Sequence, residues 1–470
     1  MQGTMKRGHG SGQFTITTGM RVTLWCAGIS LFAFGLLTLE AATSIWHGKS
    51  YLALSILDWI LSRNFLWGGE SGYAGVPQIL SQYYANSGRM ALHTAMGGVV
   101  VGLGVSQFVP ALRRRYPRLH RRLGALLALA MALSLLGALA YLMVSTVDSI
   151  FSGATFFYFL WGLAVLALLL ISQAALAIGA RDFRSHMVWM AACFAAFLTA
   201  PILRVDWIVL GLWAPMSLQR ANAAAAPLIL VQCLFLMLLW LAFIGDKDLP
   251  SRQWRAAQGA STQWPRWVPG MFAVLTVAVA VWEGILLPMG MTALPWARDS
   301  ATVLPTMAGL WATATAIAAY GSKDAWNDWL KGNRPRALFL VALGLCGVTA
   351  MAVGYSVPAD SLDGFTWSFF WKCLGVLQLT ALLLAVRLAP NSLGRNTWGV
   401  FSLFLLWTPA CMPVFAILVL LKTPEVSQFE TLISSATLAI GGMCTAGLAT
   451  AMGATLRWTL PRGPRKPQAV

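Results

Sequence analysis

Twelve apolar runs of about 20 residues recur along this chain of 470, each long enough to cross a roughly 30 Å hydrocarbon layer as a helix. They lie near 20–43, 88–110, 121–146, 155–180, 187–211, 223–245, 268–290, 302–320, 336–357, 366–388, 397–421 and 432–456. Lipid offers no partner to a backbone N–H or C=O, so a crossing segment must satisfy its own and is helical. Composition agrees: 58% of residues are hydrophobic and 10% charged, too few charges to coat a soluble globule of this length. The expected fold is all-α, a polytopic membrane protein of about twelve transmembrane helices.

The net charge of +17 would suggest nucleic acid in a soluble protein, but its placement follows the membrane instead. Alternate loops hold the basic residues, among them the cluster Arg113, Arg114, Arg115, Arg118, Arg121 and Arg122, and 25 of the 33 Lys and Arg fall on one side. Short Lys- and Arg-rich loops stay cytoplasmic. Both termini are therefore expected inside a bacterial inner membrane, with anionic headgroups as partners of the excess charge. No basic domain stands free of the membrane to bind DNA or RNA. The first run is longer than a signal-peptide core and lacks a clear cleavage site, so it reads as a retained anchor. The seven cysteines all fall in the runs without C-x-x-C spacing, as packing residues rather than a disulfide or zinc framework.

The polar stretch 246–265 divides the chain into membrane halves 1–245 and 266–470, each with six runs. Faint likenesses link them: Glu40 and Glu283 each stand near the outer end of the first run of their half, and the fourth runs both open with aromatic residues after Gly153 and Gly364. Parallel repeats of this kind suit duplicated transporter halves; shared apolar composition accounts for the likeness equally well. The outer loop 44–87 mixes a one-sided apolar segment with aromatics, Gly and Pro. It suits an interfacial helix followed by a lid, or a packed surface loop.

Ionisable groups in hydrocarbon are rare and usually face the interior. His93, His120 and His186 are the only histidines at or inside the runs, and nothing after residue 186 is His. His120 and His186 each open a helix after a basic loop, at one depth on the inner side. Two such histidines from different helices are what axial ligation of a b-type haem needs, with Arg121, Arg122 and Arg184 placed to pair with propionates. Against this, a histidine at a helix start in a basic loop is more commonly just an interfacial polar residue, and these two are shallow for haem ligands. On the outer side His93, Glu40 and Arg204 share a level. Arg204 is expected to pair with Glu40, and His93 beside them suits an anionic or quinone-like substrate or a proton relay. Asp206, two residues from Arg204, does not share its helix face and reads as a bystander. Glu283 and Lys372 form the second-half counterpart, an ion pair or substrate site. Gly98 and Gly102 make a G-x-x-x-G, most often a helix contact. Pro201, Pro288 and Pro413 fall near run ends, so no run is expected to be interrupted.

These motifs carry a resemblance. A membrane His followed by glycines and a Gln-Phe pair (His93, Gln107, Phe108), a His-Arg-x-x-Gly (His120, Arg121, Gly124) and a His-x-x-Trp-Met followed by Arg (His186, Trp189, Met190, Arg204) resemble a family of predicted bacterial membrane proteins of unknown function. The likeness covers roughly residues 85–210. It departs where an Arg usual soon after the Trp-Met is Ala192. The arrangement is also similar to the four-helix bundles of transmembrane b-type cytochromes, although the fourth run offers no histidine to answer His93. The resemblance implies a membrane oxidoreductase or electron-transfer module with one b-type haem. The alternatives are a twelve-helix transporter with Glu40, Arg204, Glu283 and Lys372 along its path, and an assembly or scaffold protein.

Overall fold

The first apolar run folds as α1 (Thr18–Trp46), and its two faces explain its place. Val22, Trp25, Ile29, Phe32 and Leu36 recur every three or four residues and are all exposed, the stripe a helix turns towards acyl chains. The other face carries Gly28, Gly35 and Ala42, seven residues apart, against α5 (Ser87–Gly104). A Cβ on Gly35 would lie 2.7 Å from both the Gly98 oxygen and the Gly102 Cα. Backbones can come this close only where side chains are absent. The G-x-x-x-G of α5 is thus a helix contact, with its partner glycine on α1. In the computed structural model the structure describes residues 18–67, 76–151, 153–179, 183–213, 217–219, 221–222, 225–226, 229, 232–233, 314, 337–357 and 362–387.

Helix α1 ends where Gly48 takes a φ of 66°, a left-handed turn that glycine adopts without a steric penalty. The outer loop then folds back as α2 (Leu52–Ile60), α3 (Arg63–Trp67) and α4 (Val76–Ala85). Leu54, Leu57, Leu61, Phe65 and Leu66 are all buried, and a Trp67 Nε1–H donation to Asp58 Oδ1 of 2.6 Å ties α3 to α2. The one-sided apolar segment is therefore turned inward over the bundle and forms its outer roof.

A 3-10 turn (Val105–Phe108) and α6 (Pro110–Arg115) lead into α7 (Pro117–Leu142). Prolines 110 and 117 each open a helix, where the missing N–H and fixed φ do no harm. Arg113, Arg114 and Arg115 occupy the last turn of α6, where positive charge offsets the helix dipole. Next come α8 (Gly153–Gly179), α9 (Phe183–Phe197) and α10 (Thr199–Trp213). Helices α5, α7, α8 and α9 close a ring in which each packs on the next, with α1 against the outside of α5. The third and fifth runs, α7 and α9, therefore stand diagonally across the ring rather than side by side, meeting through Cys193 Sγ and Met131 Sδ at 3.7 Å.

The fifth run departs from expectation. Instead of one helix, it is α9 and α10 at an angle of 45° across Leu198. Pro201 accounts for the break. It has no N–H for the Phe197 carbonyl, and its ring collides with that carbonyl in a continuous helix; α9 stops at Phe197. The hydroxyl of Thr199 donates to Ala196 O at 2.8 Å, satisfying one carbonyl of the interrupted ladder. A proline read as terminal thus cuts its run near the middle.

In the second half α11 (Ala337–Ser356) and α12 (Leu362–Arg387) pair closely, the Ser368 hydroxyl donating to Gly354 O at 2.6 Å. They occupy the ninth and tenth expected runs. Among the described residues all regular structure is helical, and five helices, or six with the bent pair as one, are long and apolar enough to cross a membrane. Of the remaining expected runs, only residues 225–226, 229 and 232–233 of the sixth and 314 of the eighth are described; the 246–265 linker, Glu283, Pro288 and Pro413 lie outside the described residues.

Candidate functional site

The break in the fifth run opens on a cavity of about 320 Å³ lined by α1, α5, α7, α8, α9 and α10 beneath the α2 and α4 roof. Its walls are mostly apolar: Phe34, Leu135, Phe156, Phe159, Leu160 and Phe197. A few polar groups converge on it, namely His93, Arg204, Tyr51, Tyr83, Tyr141 and Gln82. Apolar walls with sparse polar groups are the usual make-up of a small-molecule site.

His93 is set by the α5–α7 crossing. Its Nδ1 lies 3.0 Å from the Ser134 carbonyl oxygen. The Ser134 hydroxyl lies 3.2 Å from the same nitrogen; in the tautomer that donates Nδ1–H to the carbonyl, Nε2 is the ring's acceptor. The Ser134 hydroxyl returns the favour to the His93 carbonyl at 3.0 Å. Gly137 makes the approach possible: a Cβ there would lie 2.8 Å from His93 N and 2.9 Å from Arg89 O.

Arg204 and Glu40, expected to pair on the outer side, form no ion pair with each other. Glu40 accepts from the Ser44 hydroxyl at 2.8 Å and the Leu52 N–H at 2.9 Å, so its carboxylate caps the start of α2. The Arg204 guanidinium lies over the Trp207 ring, 4.4 Å from its centroid, a contact that stabilises a cation without neutralising it. Trp207 in turn donates its Nε1–H to Asn222 Oδ1 at 3.2 Å. Both Glu40 oxygens are occupied by a hydroxyl and a backbone amide instead. Arg204 therefore keeps its positive charge beside the cavity.

Three tyrosines gather at the same end. Tyr83 and Tyr141 meet edge to face at 6.3 Å, and Tyr51 lies within electrostatic range of Tyr83, Arg204 and Glu40. Burial pushes the Tyr51 phenol above its usual range; Tyr83 adds to this and Arg204 pulls the other way. Burial likewise raises Tyr83. Both stay protonated at neutral pH and can donate. They come from the outer loop, and sequence reasoning missed them. The available signal was the aromatic content of that loop, which by itself fits any interface.

The inner histidines stand apart from this cavity. His120 is in the first turns of α7, within electrostatic range of Arg113 and His186, while His186 on α9 has its Nδ1 2.9 Å from Ala174 O of α8. Gln107 reaches the same place, since a Cβ on Gly124, one turn after His120, would lie 3.2 Å from Gln107 Oε1. The His120 Nδ1 and the Gln107 Nε2 are both buried without a hydrogen-bond partner. Arg121 and Arg122 are exposed at this end, and Arg184 lies in the first turn of α9. Phe108 packs against Phe194 with ring centroids 5.4 Å apart and the planes tilted by 40°. In the second half Lys372 Nζ lies over the Tyr355 ring at 4.4 Å.

Residues 90–241, which include nearly all of α5 and the whole of α6 to α10, match the model of a family described as predicted membrane protein, DUF2306. Within this stretch the resemblance drawn from the histidine motifs is borne out, and the chain is an integral membrane protein with several membrane-spanning helices. No curated protein and no solved structure matches the chain.

Proposed function

We propose that this multi-pass protein, lying in a bacterial inner membrane with both termini in the cytoplasm, binds a small lipid-soluble molecule in the outer-level cavity. The best-suited ligand is a quinone-like ring whose oxygen is alternately carbonyl and hydroxyl. The observation that carries the reading is an Arg204 guanidinium without an ion-pair partner among the described residues, with phenol donors at one end of a largely apolar cavity and His93 on its wall. An apolar body is driven in by the hydrophobic effect, the guanidinium and phenols hold a carbonyl or anionic oxygen, and His93 is placed to exchange a proton with a hydroxyl. The bent helix at the cavity also suits transport of the same ligand, since discontinuous helices line substrate sites in transporters.

The test is mass spectrometry of lipids and quinones extracted from the purified chain. Quinone-class molecules should be retained by the wild type and fall by about tenfold, some 1.4 kcal/mol, in Arg204→Ala and in Ala138→Phe, which fills the cavity. Equal recovery from all three would sink the reading.

A second reading concerns the inner end, and the unpartnered His120 Nδ1 and Gln107 Nε2 favour it. The donor set suits a b-type haem: the His186 Nδ1 proton is held by a backbone carbonyl, which leaves Nε2 as the ligating atom. His120 would supply the second nitrogen, with Arg121, Arg122 and Arg184 for propionates. Bound there, a haem would supply one-electron transfer, and the chain would serve as an electron-transfer module for the quinone-like ligand. A reduced-minus-oxidised visible spectrum should show a haem signal that His120→Ala and His186→Ala each abolish; a spectrum without a Soret band would remove this reading and leave the cavity untouched.

A further inference from the structure

Asp206 and Gln232 confront each other with two oxygens that nothing donates to. The Gln232 Nε2–H donates to Asp206 Oδ1 at 3.3 Å, while Asp206 Oδ2 and Gln232 Oε1 are both buried without a partner. Adjacent buried acceptors that lack donors are costly, and native interiors rarely keep them. An ionised carboxylate cannot help, because it only accepts. Nor does a neighbouring cation neutralise it. Arg204 is two residues earlier, about 200° around the helix, and is engaged with Trp207. Lys372 on α12 is held over Tyr355. Among the described residues, the titratable groups within electrostatic range of Asp206 are the thiols of Cys233, next to Gln232, and Cys373 on α12.

A single proton removes both deficits. Carried on Asp206 Oδ2, it makes that oxygen a donor to Gln232 Oε1 and closes a reciprocal acid–amide pair with two hydrogen bonds. From this arrangement we propose that Asp206 is a proton-binding site of the membrane region, loaded when paired with Gln232 and emptied when the pair parts. The reaction is an acid dissociation alone: the Oδ2–H bond breaks, the electron pair stays on the carboxylate, and the proton leaves to water. Release needs the pair to open, because an ionised Asp206 facing Gln232 Oε1 would set two acceptors against each other in a region of low dielectric. The site adjoins Trp207, which lines the cavity, so proton binding and cavity occupancy act on one short helix, α10. Nothing in this proposal depends on what the cavity holds.

Infrared difference spectra of the full purified chain test it, wild type minus Asp206→Asn. Asparagine preserves the shape and can still pair with an amide. At neutral pH a protonated-carboxyl C=O band should be present, should shift in heavy water and should vanish in Asp206→Asn. In Gln232→Leu the same band should move to higher frequency, because the acid has lost its acceptor. Carboxylate bands alone at neutral pH would overturn the proposal. So would a protonated band indifferent to Gln232→Leu, or one present only when sodium is withheld, which would mark a cation site.

Discussion

At the scale of single residues, the polar side chains within the apolar runs divide by how completely the fold satisfies them. Glu40 is fully employed: a hydroxyl and a backbone amide occupy its two oxygens. It is a structural cap that joins α1 to α2 and so holds the cavity's roof. Glu40→Gln keeps one accepting oxygen and sets an NH₂ group against a donor, which should cost about 1–2 kcal/mol and lower the thermal unfolding midpoint in detergent. An unchanged midpoint would show that the cap contributes nothing. Arg204, by contrast, retains its charge against an aromatic face. Asp206, read from sequence as a bystander, has an oxygen awaiting a donor.

At the scale of elements, the decisive feature is the junction of α9 and α10. A continuous helix through residue 198 would carry Arg204 roughly 27 Å along its axis from His186; the 45° bend redirects α10 so that Ala200, Leu203, Arg204 and Trp207 all line the cavity. Pro201→Ala restores the missing N–H donor to Phe197 O and should straighten the pair. Spin labels at Met190→Cys and Val209→Cys should then move apart, and ligand retention should fall with them. Unchanged label distances would show that packing against the roof, where Gly211 meets Leu61 and Phe65, holds the bend without the proline. The α1–α5 contact illustrates the same dependence on small residues, since Gly35, Gly98 and Gly102 let two backbones touch where any larger side chain would force them apart.

At the scale of the whole molecule, the helices with their lipid-facing stripes were legible from sequence, because both follow from local rules. A backbone in hydrocarbon must satisfy itself, and a helix with one exposed apolar face repeats every three or four residues. The G-x-x-x-G also announced itself, although its partner on α1 did not, because a contact between distant segments leaves no mark in either alone. The histidine motifs pointed to the stretch that the family match covers, and helix rise already set His93 apart from His120 and His186, yet that His93 and Arg204 line one cavity could not be read from spacing. Tyr51 and Tyr83 reach the cavity only because a loop folds inward, and Glu40 takes a hydroxyl and a backbone amide as its partners rather than Arg204. What the sequence alone determined is an all-helical chain built to live in a bilayer, since periodicity and apolar length act within single segments. What tertiary structure decided is which polar groups meet, for that depends on helix rotation, on one proline bend and on how the outer loop folds back.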